Sequence, residues 1–300
     1  MSLLEEYKVS LKMPEVEEIL DLIFYRPIAF VFVKLIYRLP VTPNQVTFLS
    51  LLAGLTSAWY MLPGTRAGFL FAGIWYGVAN ILDCGDGMLA RLQKSGTPFG
   101  RLVDGVVDWA ISVAIFVGLG VGLSSASGNP SIWWLVAAGG FTSALHAVIF
   151  DYYQQEYISN VRGTRNFLSQ EVVKARTELD RLAAAEAGWW SRIWLKVYLG
   201  YLGLQESSQF KAEGERQAPP ELFRQHNYRV MQWWTLLGAT TNRSGLIIAS
   251  ILGRPDIFCW IVAIPGNLFL VFMLFWQRRV QQRLELDLRL QTVDGGSSKG

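Results

Sequence analysis

Four aspartates at two spacings carry the chemistry of the stretch D-C-G-D-G-M-L-A-R-L-Q-K-S-G-T-P-F-G-R-L-V-D-G-V-V-D, residues 83–108. They form two pairs, Asp83 with Asp86 and Asp104 with Asp108. Side chains three and four apart share a helix face, so each pair aims its oxygens in one direction. A helix–break–helix reading brings the two faces together across a hairpin. Such oxygens suit hard cations, Mg²⁺ or Mn²⁺. Two ions about 3.5–4 Å apart can clamp the attacking and leaving oxygens of a phosphoryl transfer. Gly87, Ala90 and Arg91 follow the first pair, and Gly100 precedes the second.

The elements that must position these acids read as membrane helices, and that makes the acids expensive. One Asp at the centre of a membrane helix costs about 2.5–3.5 kcal/mol on insertion scales. Four at that depth would cost roughly 10 kcal/mol, the scale of a whole domain's stability. They are tolerable near the interface, in a wet cavity, or neutralised by cations.

The pattern D-x2-D-G-x2-A-R-x8-G-x3-D-x3-D is filled at every fixed position, by Asp83, Asp86, Gly87, Ala90, Arg91, Gly100, Asp104 and Asp108. In this the chain resembles the CDP-alcohol phosphotransferase family. The likeness is close over the hairpin and looser over Thr42-Pro43-Asn44-Gln45-Val46-Thr47; elsewhere it is a matter of hydropathy pattern. The resemblance implies transfer of a substituted phosphate from a CDP-linked donor to an alcohol hydroxyl, with release of CMP. It implies two divalent ions, Mg²⁺ or Mn²⁺, on Asp83, Asp86, Asp104 and Asp108, with Asp108 also the general base. It implies that Gly87, Ala90 and Gly100 leave room for the cytidine and its phosphates, close helix packing being the alternative. Arg91 would contact nucleotide or phosphate, or anchor a helix end. Asn44 would lie near the nucleotide or cap its helix. A homodimer is a further implication. Two branches stay open: CDP-diacylglycerol with a polar alcohol, as in phospholipid synthesis, or a soluble CDP-alcohol with a lipid or polyol-phosphate acceptor.

Composition agrees with a membrane protein. Of 300 residues 51% are hydrophobic and 17% charged, against about 25% charged in soluble domains. Twelve Trp suit interfacial anchoring. The net charge of +3 does not argue for nucleic acid, and no G-x-x-x-x-G-K-[ST] or G-x-G-x-x-G loop is present. Cys84 and Cys259 fall in apolar segments and read as reduced thiols. The N-terminus opens polar and acidic, unlike a cleavable signal peptide.

The expected fold is all-α and integral to the membrane, with six transmembrane helices, an N-terminal interfacial helix, and a polar helical insert between the fourth and fifth spans. Residues 1–42 hold a short mobile tail and then the interfacial helix, with burial beneath the bundle as its alternative. Residues 43–152 hold four spans: roughly 44–61, 67–82, 102–123 and 132–149. Residues 153–229 form the insert, with a helix over 171–187 and an aromatic stripe of Trp189, Trp190, Ile193, Trp194, Val197 and Tyr201 that suits a membrane surface, a dimer contact or packing on the bundle. Residues 230–277 hold the last two spans, roughly 230–252 and 257–276, and 278–300 a tail.

Lys and Arg set the orientation. Before the first span lie Lys8, Lys12, Arg26, Lys34 and Arg38, and between the second and third lie Arg91, Lys94 and Arg101. The insert and tail are also basic, whereas the opposite loops hold only Arg66 and Arg254. The positive-inside rule then puts both termini and the aspartates on the cytoplasmic side, in the plasma membrane of a prokaryote. Arg243, beside Thr240, Thr241 and Asn242 in the fifth span, is a candidate for an anionic acceptor or a phosphate; a bridge to Asp151 or to the catalytic acids is the alternative. His146 and His226 lack metal-ligand spacing and read as structural. A cation-binding transporter is the rival class, but its site would lie at the midplane rather than at one edge.

Overall fold

The computed structural model describes residues 3–162, 177 and 218–297. Among these, every regular element is helical. Helix α1 is Leu3–Ser10, and a 3-10 turn over Pro14–Val16 and a π turn over Asp21–Tyr25 lead into α2, Arg26–Ile36. Then come α3 (Pro43–Met61), α4 (Arg66–Gln93), α5 (Pro98–Ser127) and α6 (Ile132–Arg162). After the insert, α7 is Pro220–Trp234, α8 Ala239–Ile251, α9 Pro255–Ile261 and α10 Asn267–Ser297.

The starts of α3, α4 and α5 are each written in a threonine. Thr42 makes a capping box with Gln45 at the head of α3. Thr65 caps α4 by accepting from Gly68 N, and Thr97 caps α5 by accepting from Gly100 N. Pro follows the cap of α3 and of α5, where its missing N–H costs nothing. Helix α4 stops at Lys94, which takes a left-handed conformation with φ 51°, and Ser95 N returns to the Ala90 carbonyl. The break between α4 and α5 is therefore four residues, 94–97, and the helices fold back as a hairpin.

Helix α3 lies against both arms of this hairpin. Its Ser50 and Ser57 hydroxyls donate to the Ala79 and Ala72 carbonyls of α4, at 2.9 and 2.7 Å. Gly118 and Gly122, one turn apart on α5, let that helix approach α3: a Cβ on Gly118 would lie 2.6 Å from the Ala58 carbonyl oxygen, and one on Gly122 would overlap that of Met61. Small residues and hydroxyls at helix contacts are the usual means of association in a membrane. A core of Met61, Tyr76, Ile115, Leu119, Leu246 and Cys259 unites α3, α4, α5, α8 and α9. A second core, including Tyr157, Met231, Trp234 and Met273, joins α6, α7 and α10.

Among the described residues, four helical stretches are long and apolar enough to cross a membrane: Arg66–Gln93, Val103–Ser127, Ile132–Arg162 and Pro255–Leu290. The expectation of six spans also counted α3, which has 19 residues, and one continuous helix over 230–252. That helix is broken. Helix α7 ends at Trp234, a 3-10 turn covers Thr235–Leu237, and the backbone is extended at Gly238 before α8 begins. Near the other end of the chain, Pro265 lies inside a π turn, Val262–Gly266, consistent with its lack of a ladder N–H.

Two expectations for the N-terminal region change. Residues 3–10 are helical, and the Glu6 carboxylate meets Lys34 Nζ at 2.6 Å, so the segment expected to be a mobile tail is docked. Helix α2 buries Ala29, Phe30 and Val33 against Met88 and Leu89 of α4. It is thus part of the bundle on one face, while its other face leaves Val31 61% and Leu35 75% exposed. The helix expected over 171–187 and the stripe from Trp189 to Tyr201 lie outside the described residues, Thr177 excepted.

Candidate active site

The two arms of the hairpin bring the aspartates together. Asp83 and Asp86 lie well inside α4, not at its end, and Asp104 and Asp108 lie in the first three turns of α5. Carboxylate oxygens of Asp83, Asp86 and Asp104 are within 4.8 Å of one another. Asp108 is one turn further along α5 and its Oδ2 faces Arg243 instead, with Nη2 at 2.6 Å. Arg243 Nη1 donates to Asp83 Oδ2 at 2.9 Å and to Asn80 Oδ1 at 3.1 Å. The guanidinium thus links one carboxylate of each arm, and the partner left open by the sequence is the hairpin aspartates, not Asp151.

Asp86 is held from α3. Thr47 Oγ1 donates to Asp86 Oδ2 at 2.5 Å, and Asp86 is buried. Among the described residues, Asp104 Oδ1 and Asp108 Oδ1 are buried without a hydrogen-bond partner. Buried oxygens left in that state carry the full cost of desolvation. Four carboxylates, one bridging guanidinium and two unsatisfied oxygens make a site short of positive charge. An all-oxygen donor set of that kind fits Mg²⁺ or Mn²⁺.

The sequence pattern led to the expectation that Gly87, Ala90 and Gly100 leave room for a nucleotide. At Gly87 the nearest atoms to an added Cβ belong to the Arg91 guanidinium, at 3.5 Å. At Gly100 they are Thr97 Oγ1 at 3.2 Å and Asn44 Oδ1 at 3.4 Å. Neither glycine meets a neighbouring helix backbone, and Gly85 meets only side-chain atoms, those of Phe32 and Val33 of α2. Asn44 is not the cap of α3, since Thr42 is; it is exposed beside Gly100. Ala90 is half-buried on the turn after Gly87. Arg91 Nε donates to the Ser10 carbonyl at 2.5 Å, which ties α4 to the N-terminal segment.

Sequence reasoning missed Asn80, Thr47 as a partner of Asp86, and Glu18. Asn80 was findable: it is a polar residue one turn before Asp83 in an apolar run. Glu18, with nothing local to mark it, accepts from Thr240 N, Thr241 N and Thr241 Oγ1 at 3.0, 2.6 and 2.8 Å, capping α8 just ahead of Arg243. His226 meets Asp287 Oδ2 at 2.9 Å and His146 is buried; neither touches the aspartates.

Residues 40–184, just under half of the chain, match the sequence model of the CDP-alcohol phosphatidyltransferase family, and all four aspartates fall inside that match. Over these residues the chain is similar to CDP-alcohol phosphatidyltransferases. The chain is 34% identical over 103 residues to the phosphatidylinositol phosphate synthase of Corynebacterium glutamicum, covering 34% of this chain and 41% of that protein. It is 38% identical over 97 residues to the bifunctional IPC transferase and DIPP synthase of Thermococcus kodakarensis, covering 32% of this chain and 21% of that one. It is 30% identical over 125 residues to the phosphatidylinositol phosphate synthase of Mycobacteroides abscessus, covering 40% and 49%. The chain therefore spans less than half the length of each of these relatives. The matched region contains α3 to α6, and so all of the aspartate hairpin; Arg243 lies beyond it in sequence.

Proposed function

We propose that this protein is a membrane CDP-alcohol phosphotransferase that moves a substituted phosphate from a CDP-linked donor, CDP-diacylglycerol, to an alcohol hydroxyl and releases CMP. The observation that carries this reading is the meeting of Asp83, Asp86 and Asp104 oxygens within 4.8 Å at the hairpin. Asp83, Asp86, Asp104 and Asp108 would hold two divalent cations, Mg²⁺ or Mn²⁺. When bound, such ions screen the donor's pyrophosphate and stabilise the charge that develops during transfer.

The chain's own residues orient and deprotonate. The acceptor oxygen attacks the phosphorus distal to the cytidine, and the P–O bond to CMP breaks, its electron pair leaving on the CMP phosphate. The hydroxyl proton passes to Asp108. Its unpartnered Oδ1 supports that role, while Arg243 holds Oδ2 and fixes the carboxylate. Gly87, Ala90 and Gly100 leave room for the nucleotide, with Asn44 and Arg91 at its edge. Arg243 uses three of its five N–H donors on Asn80, Asp83 and Asp108, which leaves two for a substrate phosphate.

The protein crosses the membrane six times, with α2 at the interface, both termini and the site on the cytoplasmic side, and a homodimer as its assembly. A soluble CDP-alcohol with a polyol-phosphate acceptor is the second reading; the likeness to a bifunctional IPC transferase and DIPP synthase favours it. The deciding experiment offers purified protein labelled CDP-diacylglycerol and soluble CDP-alcohols in turn, with inositol phosphate and other acceptors, and measures CMP. Release is expected with Mg²⁺ or Mn²⁺ and not in excess chelator. Full turnover in chelator removes the two-cation reading.

A further inference from the structure

A groove of about 430 Å³ runs along α8, between that helix, α9 and the π turn over Val262–Gly266. Its walls are apolar, with Ile248 and Leu252 from α8 and Ile257 and Phe258 from α9. Ile248 is 58% and Leu252 65% exposed, so the groove opens outward, and its volume is that of a ligand site. Gly245 keeps it open at the α8 side, since a Cβ there would come within 3.0 Å of the Phe258 ring. Arg243 is two residues from Gly245, about 160° around the helix. It therefore leaves α8 on the opposite face, where it meets Asp83 and Asp108. Helix α8 itself stands between the groove and the aspartates.

The two ends of the groove differ. His146 and Asn242 close one end, and Arg254 stands at the other. From Asn242 to Leu252 the helix advances about 15 Å, half of the roughly 30 Å of a bilayer's hydrocarbon. The groove thus has the depth of a single leaflet. Gly253, at φ 73°, brings a second arginine to the Arg254 end: Arg66 Cγ would stand 2.9 Å from a Cβ at Gly253. Arg66 opens α4 and lies 17 residues, about 25 Å, before Asp83 on that helix. This end is therefore remote from the aspartates. Arg254 gives Nε and Nη2 to Asp256 at 3.0 and 2.9 Å, which leaves three of its five N–H donors. Arg66 is exposed and, among the described residues, takes part in no ion pair. Arg66, Arg254 and Asp256 together carry one net positive charge at the mouth of an apolar channel one leaflet deep. We propose that this groove binds an anionic phospholipid of the leaflet remote from the aspartates, with one acyl chain along α8 and the phosphate on Arg66 and Arg254. Guanidinium groups suit a phosphodiester because their donors match its oxygens. This lipid is not the reacting one, and the proposal rests on the chain's crossing the membrane, not on the transferase reading.

The test takes the purified full chain in detergent, stripped of lipid, and adds dioleoylphosphatidylglycerol or dioleoylphosphatidylcholine. Wild type is expected to retain phosphatidylglycerol in native mass spectrometry. It should melt roughly 5–10 °C higher with that lipid at about 100 times its Kd, and to gain less from phosphatidylcholine. Arg66→Gln combined with Arg254→Gln should abolish the difference between the two lipids, and Arg66→Lys combined with Arg254→Lys should keep it. Filling the groove with Ile248→Trp should remove the gain from both. Equal gains from both lipids in wild type overturn the proposal, as does a phosphatidylglycerol preference that survives the paired glutamine variant. An Ile248→Trp variant that binds lipid as wild type does, yet separates a dimer, means that a second copy covers the groove, and overturns it too. Should the glutamine pair melt lower in phosphatidylcholine alone, the lysine pair decides: loss of the preference there as well means that the arginines only hold the turn at Gly253, and the proposal falls.

Discussion

Asp108 differs from the other three aspartates in what it touches. Asp83, Asp86 and Asp104 converge on one another, while Asp108 has one oxygen on Arg243 and the other buried without a partner. Replacing a general base lowers kcat, typically by about 10²–10⁴-fold, and spares binding. Asp108→Asn is thus expected to bind the CDP-donor with Mg²⁺ within a few-fold of wild type in calorimetry, yet to be nearly inactive. Asp83→Asn should lose binding as well as turnover. Equal loss of binding in both variants would make Asp108 chiefly a cation ligand. Arg243 tests the same charge balance from the other side. Removing one partner of a buried ion pair costs about 3–5 kcal/mol, and Arg243→Ala strands two carboxylates at once. Its melting temperature in chelator should fall well below wild type, and Mg²⁺ should restore more of it than in wild type. A melting temperature of Arg243→Ala that ignores Mg²⁺ would separate the guanidinium from the cation site.

At the scale of elements, the placement of α8 decides where Arg243 points. Its N-terminal N–H groups are capped by Glu18, which comes from far outside the helix. Burial, and next the charge of Asp21, push the Glu18 carboxyl up to about 7, against the hydrogen bonds from Thr240 and Thr241. Its unfolded value is 4.5. The folded state therefore binds the proton more tightly than the unfolded one between these values. Stability from this group is complete below about pH 4.5 and is lost as pH rises through about 7. Glu18→Gln should flatten the fall of melting temperature over that window relative to wild type; an identical pH profile would show that Glu18 keeps its ordinary titration. The α3–α5 contact makes a second element-scale test. Gly122→Ala drives a methyl into the Met61 carbonyl, and backbone cannot rotate away. A loss of about 1–3 kcal/mol is expected, read as a lowered melting temperature, whereas Gly77→Ala, with nothing within 4 Å, should be neutral or slightly stabilising.

For the whole molecule, the positive-inside rule predicts that the hairpin turn and the loop after α5 lie on opposite sides. Ser95 and Ser127 are both exposed and bracket α5, which at 30 residues is about 45 Å long. With native cysteines replaced, Ser95→Cys should react with an impermeant thiol reagent only from the cytoplasmic side and Ser127→Cys only from the other. Labelling of both from one side would mean that α5 does not cross. The basic residues Arg91, Lys94 and Arg101 around the turn predict which side is cytoplasmic.

The carboxylate hairpin was legible in the chain because everything that makes it is local. Three- and four-residue steps set which side chains share a helix face, and Thr65, Thr97 and the short link between α4 and α5 set where the arms begin and turn. The apolar runs likewise announced α4, α5, α6 and the final helix. What only the tertiary structure decided lies between residues far apart: Arg243 on Asp83 across 160 positions, Thr47 on Asp86 across 39, Glu18 on Thr240 across 222. The docking of residues 3–18 and the break at Gly238 belong with these. Helical periodicity tells which face of one helix is polar, but not which other helix will meet it. That choice is made by packing, when buried carboxylates and helix ends with unpaired N–H groups find partners wherever the fold can bring them.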